Sequence, residues 1–306
     1  MAALTGFRKF QKTLFTNNRT RRNLFSFIVM VAPALIWFLF IMGEPLLNMF
    51  RVSTLKWTMV LLPSTYIGLK NYVTLFTSDK FFIACRNTFV YWIVREIIIL
   101  PISFILGFFL SQRRPGFRFF RTVFFIPSML STPALAMMFV GVFLPYGILN
   151  YLLTAVGLGS LTHVWFADSS VALVAMISVD IWGAIGWFSV VFFAFLSGLS
   201  KELIEAAQID GANLWTVTWR IAFPLSQDIF GISFMLIFIG ALTQVQLPLL
   251  LTNGGPSLAT YTLGYYLYDA AFLSQKLGFS QAIGVFLFFV GILGVVLIRW
   301  VFHPRT

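Results

Sequence analysis

Six long apolar stretches separated by shorter polar segments set the pattern of the chain. They run over about 24–50, 87–111, 122–145, 170–199, 226–250 and 278–302. Each reaches the roughly 20 residues a helix needs to cross about 30 Å of hydrocarbon at about 1.5 Å per residue. Each is assigned as a helix, because backbone polar groups that face lipid must be satisfied within their own segment. The expectation is an all-α membrane protein with six transmembrane helices over residues 24–302. A segment 1–23 precedes them and a tail 303–306 follows. Pro33, Pro101 and Pro133 fall inside apolar stretches and should kink or interrupt those helices. The first stretch is too long for a cleaved leader, and five more follow it.

Composition supports this class. The 306 residues are 59% hydrophobic and 10% charged, with 37 phenylalanines; a soluble domain has about 25% charged residues. The single cysteine, Cys85, leaves no internal disulfide and no thiol cluster for a metal. A net charge of +11 could suggest nucleic acid, but the basic residues flank apolar spans instead of forming one basic face, so orientation in the membrane explains them. Arg8, Lys9, Lys12, Arg19, Arg21 and Arg22 precede the first span. Arg113, Arg114, Arg118 and Arg121 lie between the second and third, and Arg299 and Arg305 close the chain. Both termini are therefore expected in the cytoplasm, as is the polar segment after the fourth span. The loop 51–86 runs against this rule, because it is expected outside yet carries Arg51, Lys56, Lys70, Lys80 and Arg86. Of the other two outer loops, 146–169 has no Lys or Arg and 251–277 has only Lys276. Near the N-terminus, Phe7, Phe10, Leu14 and Phe15 at helical spacing among basic residues fit either an amphipathic helix on the inner leaflet or a disordered basic tail.

Residues 205–224, EAAQIDGANLWTVTWRIAFP, form a polar island between the fourth and fifth spans. They read as a short helix, a break at Gly211, a second short helix and a stop at Pro224. Asp210 and Asn213 are turn formers beside the glycine. Glu205-Ala206-Ala207, Gly211, Ile221 and Pro224 carry the spacing of the EAA loop, and the chain resembles the permeases of sugar-type ABC importers. Further pieces fit in order: IGLKNYVTLFTSDKFFIACRNTFVYW at 67–92, RTVFFIP at 121–127, PYGILN at 145–150, and LLTNGGP at 250–256, which is similar to the MalF-like half of such importers. Phe223 stands where the family usually has Leu. The resemblance implies an N-in/C-in permease in a bacterial cytoplasmic membrane, beside a second homologous permease in a heterodimer. It implies two ATPase subunits that hold ATP and Mg, with no cofactor in this chain, and an extracytoplasmic binding protein that delivers a carbohydrate, an oligosaccharide by expectation. Coupling to the ATPase would fall to Glu205, Ala206, Ala207, Asp210, Gly211, Ile221 and Pro224, with Ile204, Ala207 and Gly211 on the docking side. The other reading of Glu205 is a solvated carboxylate that favours the helix N-terminus.

Inside the spans, Asp180 is the costliest residue, since a carboxylate there faces a cavity or a partner. Trp187 shares its helix face at i+7, with Gly183 and Ala184 between. Carboxylate and indole together suit a sugar, although Asp180 could equally be paired with a hydroxyl or Arg of a neighbouring helix. Gly240, Ala241 and Gln244 form a second face in the fifth span. The resemblance places Ala184, Trp187, Ile237, Gly240, Ala241 and Gln244 along the solute path. Trp182 and Phe188 are expected to meet lipid or the second permease. Arg95 and Glu96 are adjacent, point about 100° apart and so cannot both serve each other; a partner is expected in the second permease or an outer gate. The alternative function is a secondary transporter that couples solute to protons or ions through Asp180 with Arg95 and Glu96. An enzyme is disfavoured, because no catalytic constellation and no phosphate-binding G-x-x-x-x-G-K-[ST] loop occurs. His163 and Asp168 lie in an outer loop, where a lone histidine is expected to be solvated and not a metal ligand. No metal site and no nucleic-acid partner are expected.

Overall fold

The computed structural model describes residues 18–58, 61–112 and 115–302. The segment with Phe7, Phe10, Leu14 and Phe15, the residues Arg113 and Arg114, and the tail 303–306 lie outside the described residues. The chain divides into two units, Met1–Val52 and Ser53–Thr306.

In the first unit, α1 (Asn18–Phe38) continues through a π-helical turn at Leu39–Gly43 into α2 (Glu44–Ser53). Pro33 sits inside α1 without ending it. The candidate span Ser26–Ser53 exposes Met30, Trp37 and Phe40. A helix apolar all round is what a membrane span requires.

The second unit opens with a two-residue antiparallel ladder, β1 (Leu55–Lys56) on β2 (Thr65–Tyr66), a small addition to the expected all-helical fold. Then follow α3 (Lys70–Phe76), α4 (Asp79–Ser111), α5 (Phe117–Met129), α6 (Thr132–Val142), α7 (Ile148–Ala155) and α8 (Ala172–Leu196). The polar island forms α9 (Lys201–Ile209), α10 (Leu214–Val217), a π turn and α11 (Phe223–Leu225). The chain closes with α12 (Gln227–Leu242), α13 (Gln246–Leu251), α14 (Leu263–Tyr268) and α15 (Leu277–Val301).

Among the described residues, four helices are long and apolar enough to span the membrane: Ser26–Ser53, α4, α8 and α15. Six spans result only if two bent pairs count as one span each: α5 with α6, bent by 98°, and Leu214–Leu225 with α12, bent by 73°. The expected third span is therefore broken. Leu130 is extended, and Pro133 lies in the first turn of α6, where its missing N–H costs nothing. The expected fifth span also ends early, at Leu242. Pro248 explains this, because its ring would meet the carbonyl of Gln244 in a continuous helix. That carbonyl turns instead to accept from Thr262 Oγ1 at 2.7 Å. Pro101, by contrast, is carried within α4, which runs on to Ser111.

The most extensive pairing is α4 against α8. Gly107 permits it, since a Cβ there would lie 2.6 Å from Phe192 Cβ. Beside this contact Phe104 gathers Phe192, Trp219, Phe223 and Phe230, with ring centroids 5.7, 5.8, 5.9 and 5.0 Å away. The knot joins α4, α8 and α12 to the polar island. Phe104→Ala should destabilise the bundle by about 3–5 kcal/mol. A lowered unfolding midpoint of the detergent-solubilised chain checks this.

Candidate functional site

A polar network crosses the bundle. Arg95, on α4 and 7% exposed, pairs through Nε with Asp180 Oδ2 on α8. Its Nη1 donates to the carbonyl of Ile237 on α12 at 3.3 Å. One turn earlier on α4, Tyr91 is fully buried and lies 5.0 Å below the guanidinium. Gln244 Nε2 donates to the Tyr91 hydroxyl at 2.9 Å. Gly240 lies beside Arg95, where a Cβ would make an ordinary contact 3.6 Å from Nη1. Glu96 accepts from Trp92 Nε1 at 2.9 Å, while its Oε2 has no hydrogen-bond partner among the described residues.

Asp180 is therefore paired with an Arg of a neighbouring helix, one of the two expectations for it, and the partner of Arg95 lies inside this chain and not in a second permease. The adjacent Glu96 is served separately, as the 100° offset requires. Asp180, Ile237, Gly240 and Gln244 come together around Arg95 and Tyr91. Gln244 does so from the turn after α12, not from the helical face expected with Gly240 and Ala241. Ala241 is fully buried, and Ala184 packs against the core. Trp187 is not part of this network; it is 44% exposed and meets Phe188 edge-on. The expectation for Phe188 is reversed, because Phe188 is buried in the core. Trp182 is exposed and packs edge-on against Phe139. Tyr91 was missed, although its position four residues before Arg95 puts the two on one face.

The polar island folds as the residue types direct. Gly211 takes φ +86° after α9, and Ala212 N–H reaches back to Ala207 O at 2.9 Å, closing the helix end. Asn213 Oδ1 then caps α10, accepting from Thr216 N at 2.8 Å. Pro224 lies in the first turn of α11. Glu202, not Glu205, occupies the first turn of α9. The inner and outer faces differ from expectation, because Ile204 and Ala207 pack inward against the core. Glu205, Ala206, Asp210 and Gly211 are exposed, and on α9 and α10 the large apolar side chains facing out are Leu203, Ile209 and Trp215. Behind α9, Glu205 rims a crevice of about 290 Å³ with Ser111, Gln112, Ser197 and Gln208. Ile221 is half-buried and Pro224 exposed.

In the loop before α8, Asp168 Oδ2 lies 3.1 Å from His163 Nδ1, so this histidine has a carboxylate partner. Hydrogen bonds from the Ser170 hydroxyl and amide, then His163, hold the Asp168 carboxyl below its usual range. Among the described residues no three His, Cys, Asp or Glu side chains gather as a metal set.

Residues 99–306, which hold α8, the polar island and every later helix, match the family described as binding-protein-dependent transport system inner membrane component. The chain belongs to this family. It is a multi-pass inner-membrane permease subunit of an ABC transporter and is not itself an enzyme, ATP being handled by partner subunits. The chain is 33% identical over 256 residues to the probable ABC transporter permease protein YurN of Bacillus subtilis, covering 83% of this chain and 87% of YurN. It is 30% identical over 254 residues to the multiple sugar-binding transport system permease protein MsmF of Streptococcus mutans, covering 81% and 85%. Its fold is that of a chain in the bacterial ABC transporter that imports the acidic polysaccharide alginate, with TM-score 0.79, 21% identity and coverage of 97% and 99%.

Within this permease the Arg95–Asp180 pair should be structural as a unit. Asp180→Asn or Arg95→Gln alone leaves a charge buried without its partner and should cost about 3–5 kcal/mol. The double variant should recover most of that loss. A double-mutant cycle on unfolding in detergent checks it, and purely additive losses would contradict the pairing.

Proposed function

We propose that this subunit forms one half of the translocation path for a carbohydrate, an oligosaccharide by preference, and that residues 201–225 are the handle by which an ATPase moves it. MsmF is named for multiple sugars, which supports the solute class. The observation that carries the coupling role is the two-sided build of the handle. Its outer side presents Glu205, Ile209 and Trp215, while its inner side sends Trp219 and Phe223 into the Phe104 knot. Apolar anchors beside a charge suit a groove on a partner, and a rigid inner joint carries displacement to α4, α8 and α12. The proposed topology keeps both termini and the handle in the cytoplasm, with loops 51–86, 146–169 and 251–277 outside. A second permease in a heterodimer, two ATPases and an extracytoplasmic binding protein complete the assembly.

The solute path is proposed along Asp180, Ala184, Gly240, Ala241 and Gln244, with Trp187 two turns along α8. Asp180 then acts through Arg95, whose hold on Ile237 and Tyr91 sets the width between α4, α8 and α12. The secondary-transport alternative loses its support here, since Asp180 and Arg95 are spent on each other.

In liposomes holding the whole importer, Glu205→Lys and Gly211→Pro should leave the subunit inserted and ATP hydrolysis running while uptake falls. Ile209→Ala with Trp215→Ala should weaken ATPase association by about 2 kcal/mol or more, as lost interface anchors do. Normal uptake and normal assembly in all of them would refute the handle.

A further inference from the structure

Two of the three lysines that run against the orientation rule have a structural address. Lys56 on β1, Lys80 at the start of α4 and Lys276 before α15 all line one cavity of about 400 Å³. That volume lies in the range of small-molecule sites, about 300–1,000 Å³. Lys56 and Lys80 belong to the discordant loop 51–86, and Lys276 is the one basic residue of loop 251–277. Among the described residues none of the three is in an ion pair. The single acidic residue in the lining, Asp269, already accepts from the Tyr261 hydroxyl and from Ser274 Oγ at 3.2 Å. Burial, then the bond to Asp269, pushes the Tyr261 phenol up, so it stays a donor. Positive charge therefore dominates the cavity.

The remaining wall suits a sugar ring. Trp57, Tyr266 and Phe279 supply aromatic surface, and Trp57 keeps a buried Nε1–H without an acceptor among the described residues. The frame is fixed by backbone contacts. Asn71 Nδ2 donates to Ser53 O at 2.8 Å and Leu55 O at 2.9 Å, and Gly278 N donates to Trp57 O at 3.0 Å. Gly278 must lack a Cβ, which would sit 1.9 Å from Leu55 O. Strand β1 is thus locked onto the first turn of α15, and the lysine stems start from set positions.

We infer that this cavity receives a carboxylated sugar unit of the uronate type, its carboxylate held among Lys56, Lys80 and Lys276 and its ring against Trp57, Tyr266 and Phe279. The inference rests on the importer reading and narrows it: the solute is an acidic saccharide, met on the outer face before it reaches the Arg95 network. Lysine supplies mobile point charges suited to a carboxylate, and aromatic planes take the apolar face of the ring.

The test uses the full chain in detergent at low salt, with digalacturonate and its neutral methyl ester as probes. Calorimetry should show the acid binding at least about tenfold tighter than the ester, about 1.4 kcal/mol, with affinity falling as salt rises. Lys56→Gln, Lys80→Gln and Lys276→Gln together should remove that preference without lowering the unfolding midpoint, and Lys276→Gln alone should reduce it. Equal affinity for acid and ester, or competition by inorganic phosphate as effective as the acid itself, would overturn the inference. So would a triple variant that binds digalacturonate normally yet no longer responds to the delivery protein, which would make the cavity a protein contact. Absence of digalacturonate binding in a preparation that still assembles with its ATPases would overturn the acidic-saccharide inference alone. Failure to assemble with any ATPase would instead strike at the importer reading.

Discussion

An arginine and an aspartate inside an apolar layer must neutralise each other, and the bundle is arranged around that requirement. Arg95 and Asp180 sit on the two helices with the most extensive contact, and the guanidinium also reaches α12 through Ile237 O. A buried ion pair is a modest stabiliser once desolvation is counted, but it is strict about register. Any slide of α4 along α8 would strand both charges. The pair thus sets one relative position for three helices and, through Tyr91 and Gln244, for the turn that follows α12.

The aromatic knot is the apolar counterpart of that pair. Phe104 touches side chains from α8, α12 and the polar island, so a push on α9 and α10 meets closely packed rings. Close-packed interiors transmit displacement and do not absorb it. Gly211 and Asn213 set the corner of the polar island, one through its left-handed backbone and the other through its cap. The break at Ser226, which is fully buried, then turns the chain into α12.

Much of this was legible in the sequence, and the exceptions have physical causes. Long apolar runs identify a lipid-facing chain because the bilayer imposes length and polarity together. The glycine break, the asparagine beside it and Pro224 were readable because their backbone preferences are local. Hydropathy does not register direction, so the 98° break between α5 and α6 and the early end of α12 were hidden inside continuous apolar runs. Pro133 was singled out in the sequence and Pro248 was not, and only their backbone setting decides whether such prolines start a helix or interrupt one. The facing of α9 was missed because Leu203, Ile204, Ala206, Ala207 and Ile209 place apolar groups on more than one side of a nine-residue helix. The same ambiguity exchanged Trp187 and Phe188 on α8, which is apolar nearly all round. The Arg95–Asp180 pairing needed the third dimension, although two opposite charges in separate spans were its signature.

The length of α12 has a consequence for the surrounding lipid. Its sixteen residues cover about 24 Å, short of the roughly 30 Å hydrocarbon layer. Its far end therefore falls short of the opposite headgroup plane and is met by protein instead, because Gln244 Nε2 donates to the buried Tyr91 hydroxyl. The lipid beside it is thereby spared the fraction of a kcal/mol per ångström that a bare mismatch costs.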